Sequence, residues 1–328
     1  MRKKISLIIP SDSDNFYIND YLINISLWSL IPSEIIIINT TKKKYVIHKI
    51  TSEILKKKKT NIILLNKKNF YPGAARNAGV AVSKNRYLVF LDMNTVPYNK
   101  DWLKKNFELF IKNNLDALIG QTYYLANTKK EKIIRASTYG KNFLNTLPGS
   151  IFDKRVFEKV GLFNSKIRAG EDIDWLRRLS KNHFKIKTSL FPISYKGLNN
   201  VTYLMIIKKW FRNYFSSSNL PHLSMQKNLY IYGLFFFLFF LAYNWNYHLD
   251  FEKNQIYIPH ITKFFLFISF VIYSAIRGIY IPIKKNISLS FLFPINFLMI
   301  TFFSFILDQV KSLSFSLGVL KKLFASKR

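Results

Sequence analysis

The chain has 328 residues, with 50 Lys and Arg against 18 Asp and Glu and no cysteine. That length allows roughly two domains, and the missing cysteines exclude a disulfide scaffold and a cysteine-ligated metal site. A formal charge of +32 invites a nucleic-acid reading, but the basic residues are not gathered into one stripe with interleaved aromatics, so no nucleic-acid partner is expected.

Ile5–Ile9 is a short apolar run closed by Pro10 and reads as a buried strand. It is too short for the core of a signal peptide, so the first part of the chain is expected to stay in the cytoplasm. Ser11 to Asn15 is a polar turn, followed by apolar residues at helical spacing to about Leu30, where Pro32 stops the pattern. Glu34–Ile38 is a second buried strand, Tyr45–Leu55 a helix running into four lysines, and Asn61–Leu65 a third strand. Pro72 and Gly73 open a small-residue helix, and Tyr87–Leu91 is a fourth strand ending at Asp92. A helix from Trp102 to about Asn114 and a strand at Ala117–Tyr124 follow. Leu147-Pro-Gly-Ser150 reads as a turn, Phe152–Val160 as a short helix closed by Gly161, and Lys185–Phe191 as a last strand. Strands alternating with helices predict an α/β fold with a doubly wound, mostly parallel sheet.

The second half changes character. From Leu176 to Lys227 there are basic residues and no Asp or Glu, ending in Lys208-Lys209-Trp210-Phe211-Arg212. This basic, aromatic pattern suits an anionic lipid surface. Three apolar segments follow, at 229–247, 264–283 and 287–307, and each is long enough for a spanning helix. The expected division is therefore a domain over 1–215 and a membrane region over 216–328, multi-pass, with the N-terminal domain on the cytoplasmic side by the distribution of Lys and Arg.

In an open α/β sheet, ligands bind beyond the carboxyl ends of the strands. Asp92, with Asn94 just after it, stands at such an end. It is either a ligand-binding carboxylate or the first residue of an Asx turn. A second acidic group, Gly170-Glu171-Asp172-Ile173-Asp174-Trp175, opens a helix, where its carboxylates also complement the helix dipole.

The ordered set Ile8-Ile9-Pro10, Glu34–Ile38, Ala75-Arg76-Asn77-Ala78-Gly79, Phe90-Leu91-Asp92-Met93-Asn94, Pro97 with Asp101-Trp102-Leu103, Val160-Gly161-Leu162-Phe163 and Gly170-Glu171-Asp172-Ile173-Asp174 resembles family-2 glycosyltransferases of the GT-A fold, over about residues 4–215. The resemblance implies a membrane-bound inverting transferase moving sugar from a nucleotide-sugar donor to a hydroxyl of a lipid-linked or surface glycan. It implies Asp172 as catalytic base and Glu171 and Asp174 on the acceptor side, with Trp175 either beside them or, as the residue type favours, in the core. It implies Pro10, Asn39, Arg76, Asn77, Asp92 and Asn94 around the donor. Asp92 and Asn94 would hold a divalent cation, Mn²⁺ or Mg²⁺, both hard ions that prefer oxygen ligands. Two positions depart from the family pattern. Asn94 replaces the second metal carboxylate, and Asn39-Thr40 replaces the acidic residue after the second strand. These departures leave a second reading open, a non-catalytic GT-A homologue serving as a membrane scaffold or partner subunit.

Overall fold

A computed structural model describes residues 4–12, 17–218, 220, 233 and 261–325. The apolar segment expected at 229–247 lies outside the described residues apart from residue 233, as does part of the polar turn after β1. The chain forms two compact units. Met1–Leu125 with Phe143–Gly197 makes the first, and Ala126–Asn142 with Leu198–Arg328 the second. The second thus includes an excursion from the middle of the chain that a division at 215/216 does not contain.

The first unit is built on one sheet of nine strands: β1 (Ile5–Ser11), β2 (Glu34–Asn39), β3 (Asn61–Asn66), β4 (Tyr87–Phe90), β5 (Thr95–Pro97), β6 (Ala117–Tyr124), β7 (Leu144–Asp153), β8 (Ile186–Thr188) and β9 (Ile193–Tyr195). Their order is β3-β2-β1-β4-β7-β6-β9-β5, with β8 also on β6. The β3-β2-β1-β4 half is parallel. Beyond it β7 runs antiparallel to both neighbours, and β5 runs antiparallel to β9. The sheet is mixed and mostly parallel, as expected.

Strand alternation divides the core. Ile5, Leu7, Ile9, Ile35, Ile37, Val89 and Leu91 feed the face covered by α1 (Ile18–Ser26) and α4 (Trp102–Lys112). Ile8, Ile36, Ile38, Leu88 and Phe90 feed the face under α3 (Pro72–Val82), α6 (Arg155–Val160) and α7 (Glu171–Ser180). A sheet buried on both faces explains why these strands read as unbroken apolar runs. Pro10 lies inside β1, paired in register with Ile38. Leu91 N donates to Ile8 O on the β4 side, while Thr40 N donates to Ser11 O on the β2 side. By alternation Pro10 faces the β4 side, where the ladder has already ended at Ile8 and Phe90. Its missing N–H therefore breaks no sheet hydrogen bond.

Several boundaries differ from the sequence reading. α1 stops at Ser26 rather than Leu30, and α2 (Lys49–Lys57) begins four residues after Tyr45, which is buried and meets Ser11 Oγ through its hydroxyl. The expected turn Leu147-Pro-Gly-Ser150 lies within β7. It forms a bulge, with β6 pairing as Leu118 with Ile151 and then Gly120 with Thr146. Ser150 Oγ bridges it, donating to Thr146 O and accepting from Gly120 N. Phe152 and Asp153 complete β7, so the following helix starts only at Arg155.

The second unit contains α5 (Lys129–Ser137), which connects β6 to β7. A capping box opens it, with Thr128 Oγ1 accepting from Glu131 N and Glu131 Oε2 from Thr128 N. It also contains α8 (Tyr203–Ser217) and α9 (Ile261–Tyr273). A π-helical stretch, Ser274–Tyr280, leads from α9 into α10 (Ile281–Lys284), followed by α11 (Leu289–Leu292) and α12 (Asn296–Ala325). Ile133 and Ala136 of α5 pack with Ile287, Leu292 and Ile300. Among the described residues, two helices are long and apolar enough to cross a membrane, Phe267–Lys284 and Asn296–Lys322. The segment expected at 287–307 is not one span. Pro294 separates α11 from α12, and α12 continues well past Leu307.

Candidate active site

The site is assembled from α3, the carboxyl end of β4, and the start of α7. α7 is preceded by Gly170 in the left-handed region at φ +89°, which glycine adopts without a Cβ clash. That turn points Glu171, Asp172 and Asp174 into the first turn of the helix. α3 approaches the preceding loop closely, and a Cβ at Gly73 would stand 2.5 Å from Asn164 O. From α3, Arg76 Nη1 donates to Glu171 Oε1 at 2.6 Å, and Nη2 donates to Asp92 Oδ1 at 3.2 Å. One buried guanidinium thus joins the strand-end carboxylate to the acidic helix start. Its Cζ lies 6.0 Å from the Phe163 ring centroid.

Asp92 is held by its backbone. Thr95 Oγ1 and Thr95 N donate to Asp92 O, Thr95 Oγ1 accepts from Asp92 N, and the Tyr21 hydroxyl donates to Asp92 O at 3.4 Å. The turn and the carboxylate site therefore coexist. The backbone makes the turn, and the side chain stays 31 % exposed beside Arg76. Asn94 is exposed, and its carbonyl accepts from Lys196 N, which brings the end of β9 to the same edge.

Charge is unbalanced here. Burial opposes the Arg76 cation, yet Asp92, Glu171 and Asp172 together raise its pKa. Burial raises Asp92 against the pull of Arg76, with further upward contributions from Asp172 and Asp12. Burial pushes Glu171 up to about 7, with Asp172 adding to the rise and Arg76 opposing it. Among the described residues, Asp92 and Glu171 pair with the single Arg76 cation while Asp172 and Asp12 add negative charge nearby, which leaves a negative field at the sheet edge. Among the described residues, no group of three or more His, Cys, Asp or Glu is placed to hold a metal ion. Asp92 and Asn94 still offer hard oxygen donors in a negative field. That set fits a divalent cation if the substrate supplies further oxygens.

The other expected residues are placed as follows. Asp172 is partly exposed, and its Oδ1 accepts from Ile173 N at 2.8 Å. Asn77 uses its whole amide to clamp Phe163, donating to its carbonyl and accepting from its N–H, so it holds the loop before α7. Asp174 pairs with Arg178, whose guanidinium also donates to Val160 O and Leu162 O. Pro10 sits at the carboxyl end of β1.

Two placements run against the roles implied by resemblance. Asn39 is 1 % exposed. Its Nδ2 donates to Lys43 O and Asn66 Oδ1, and its Oδ1 accepts from Thr41 N and Thr41 Oγ1. The amide closes the loop after β2 and leaves nothing to read a base. Trp175 is fully buried, stacked 4.7 Å from Phe157, with its indole N–H donating to Gly161 O. It belongs to the core, not to an acceptor surface. Sequence reasoning missed Thr95 and Tyr21 as supports of Asp92. Their signal is only positional, three residues past a strand-end Asp and on the facing helix.

Residues 21–168 match glycosyl transferase family 2. Over that stretch, a little under half of the chain, the sequence is similar to family 2 glycosyltransferases. The match includes Arg76 and Asp92 and ends just ahead of α7. An uncharacterized glycosyltransferase of Methanocaldococcus jannaschii, MJ1057, is 26 % identical over 162 residues, covering 45 % of this chain and 54 % of that protein. The chain thus spans about half the length of that curated relative. Among solved structures, S. aureus TarS 1–349 aligns with a TM-score of 0.44 at 15 % identity, covering 66 % of each chain. Mannosyltransferase PcManGT from Pyrobaculum calidifontis, solved with GDP-Man and Mn²⁺, aligns with a TM-score of 0.46 at 10 % identity, covering 66 % of this chain and 64 % of that one. The mixed, mostly parallel sheet of the first unit resembles that of the GT-A fold.

Proposed function

We propose that this protein is a membrane-bound inverting glycosyltransferase, moving a sugar from a nucleotide-sugar donor to a hydroxyl of a lipid-linked or surface glycan. The observation that carries this reading is the buried Arg76 joining Asp92 at the carboxyl edge of the sheet to Glu171 at the start of α7, with Asp172 next along that helix. Asp172 is the partly exposed member of the acidic helix start and serves as the base. It takes the proton of the acceptor hydroxyl as that oxygen attacks the anomeric carbon, and the bond to the nucleoside diphosphate breaks on the opposite face. A single displacement of this kind inverts the anomeric centre. Arg76 fixes Glu171 against Asp92, so that Asp172 is carried at a set position by α7. Asp92 and Asn94 would hold the donor's divalent cation, which when bound would offset charge on the departing diphosphate. The helices Phe267–Lys284 and Asn296–Lys322 support membrane attachment, with the catalytic domain on the cytoplasmic side.

The test is a donor screen on the detergent-solubilised full chain, with transfer or hydrolysis followed by mass. Asp172→Asn is expected to lower turnover about 100-fold or more while thermal unfolding is unchanged. Full turnover in that variant refutes the assignment of the base. Failure of every nucleotide sugar to bind refutes the transferase reading itself.

A further inference from the structure

The second unit carries a charged cluster in its two most apolar helices. Asp308 of α12 is bracketed by Arg277, with Nε–Oδ2 at 2.8 Å and Nη2–Oδ1 at 3.0 Å. Lys311 Nζ reaches Oδ1 at 2.9 Å, and the Tyr273 hydroxyl donates to Oδ2 at 2.9 Å. Both carboxylate oxygens are therefore saturated. Lys285, just past the first of these helices, donates to Thr138 O and lies within electrostatic reach of Arg277, Lys311 and Asp308. Three cations thus share one carboxylate, an excess of two positive charges among the described residues.

Charges within membrane-crossing helices are costly and mark functional sites by default. Here the backbone is also irregular. The stretch carrying Arg277 is π-helical, a feature frequent at such sites. Hydrogen-bonding capacity is left over as well. Lys311 Nζ lies 4.8 Å from the Trp210 ring centroid. The Trp210 indole N–H is a buried donor with no partner among the described residues, as are the hydroxyls of Ser274 and Ser304 on the facing helices. Unspent donors beside uncompensated cations call for an anion with several acceptor oxygens. A phosphomonoester carries about −1.5 to −2 charge at pH 7 and three such oxygens, which matches the excess. A guanidinium and an ammonium are the usual phosphate-binding pair.

We propose that Arg277, Lys285 and Lys311, with Trp210, form a binding site for the phosphomonoester headgroup of a lipid. The site lies within the second unit and does not depend on the transfer reading. The lipid source follows from the apolar surface around the cluster, where Phe270, Ile276, Tyr280 and Phe302 are exposed.

The test places the full chain in phosphatidylcholine nanodiscs doped with phosphatidic acid, or with phosphatidylglycerol as the phosphodiester control, and counts lipid retained by native mass spectrometry. Wild type is expected to retain phosphatidic acid in preference to phosphatidylglycerol. Arg277→Gln, Lys311→Gln and Lys285→Gln should each weaken retention about five-fold. Lys56→Gln with Lys57→Gln, which removes exposed charges of α2 in the first unit, should leave it unchanged. Lys285 has no ion pair among the described residues, so its variant reports on binding even if the Arg277 variant fails to fold. Equal retention across all variants, or equal retention of both anionic lipids, overturns the site. Displacement of phosphatidic acid by inorganic phosphate alone overturns the lipid assignment.

Discussion

Arg76 is the residue whose removal should be felt most. Its guanidinium meets Glu171 at 2.6 Å, and both side chains are only 6 % exposed. Arg76→Met keeps much of the volume but strands a buried carboxylate, and breaking such a pair costs about 3–5 kcal/mol. For a domain of this size about 2–4 °C of midpoint is lost per kcal/mol, so a fall of roughly 6–20 °C is expected at pH 8.5. The loss must depend on pH. Burial raises Glu171 to about 7 in the folded state, above its ordinary value of 4.5. Its contribution to stability is therefore fully present below 4.5 and is lost as pH rises through about 7. At pH 5.5 the carboxyl is largely neutral, and removing Arg76 forfeits something closer to one ordinary hydrogen bond, about 1 kcal/mol. The assay is thermal unfolding of the detergent-solubilised chain, followed by intrinsic fluorescence at both pH values. The double variant Arg76→Met with Glu171→Leu replaces the pair by apolar groups and should recover most of the loss. An equal midpoint shift at pH 5.5 and 8.5, or a double variant no better than the single, refutes the reasoning.

Asn39→Asp should cost about 1–3 kcal/mol, because it removes two buried donors and places a carboxylate against Lys43 O and Asn66 Oδ1; unchanged denaturant midpoint with tighter nucleotide binding would show that Asn39 reads the base after all. Trp175→Ala should lose about 3–5 kcal/mol of stability by opening a cavity among Phe152, Phe157 and Phe163. Trp175→Phe should restore most of that with acceptor KM unaltered, and a selective rise in KM would return the residue to the acceptor site. Thr128→Ala should weaken α5 by about 1 kcal/mol through loss of its capping box, measured as a lower chemical-denaturation midpoint, and no shift would mean that α5 is held by packing alone.

The parallel half of the sheet was readable because strands buried on both faces must be apolar throughout, as in Ile35 to Ile38. The antiparallel half was not. Pro148 and Gly149 are ordinary turn residues, and nothing local tells a turn between strands from a bulge inside one, because the difference is made by Ser150 bridging to Gly120 across the ladder. β5 and β9 have three residues each, too few to show a period. α5 was legible in principle, since Thr128 and Glu131 have capping-box spacing. At the site, residue identities were visible in the motifs, but their division of labour was not. Asn39, Asn77 and Trp175 all spend their polar atoms on the protein itself, a fact that depends on partners distant in sequence.

The placement of α5 bears on how this chain is made and handled. Its helix is synthesised between β6 and β7, but the residues it packs on, Ile287, Leu292 and Ile300, emerge from the ribosome more than a hundred positions later. Until then Ile133 and Ala136 have no apolar cover from that cluster, and the sheet must close around an unfinished excursion. A fragment ended at Gly197 to obtain a soluble enzyme would keep that excursion permanently bare. Replacing 126–142 by a short polar linker in the same fragment removes the sticky surface at its origin.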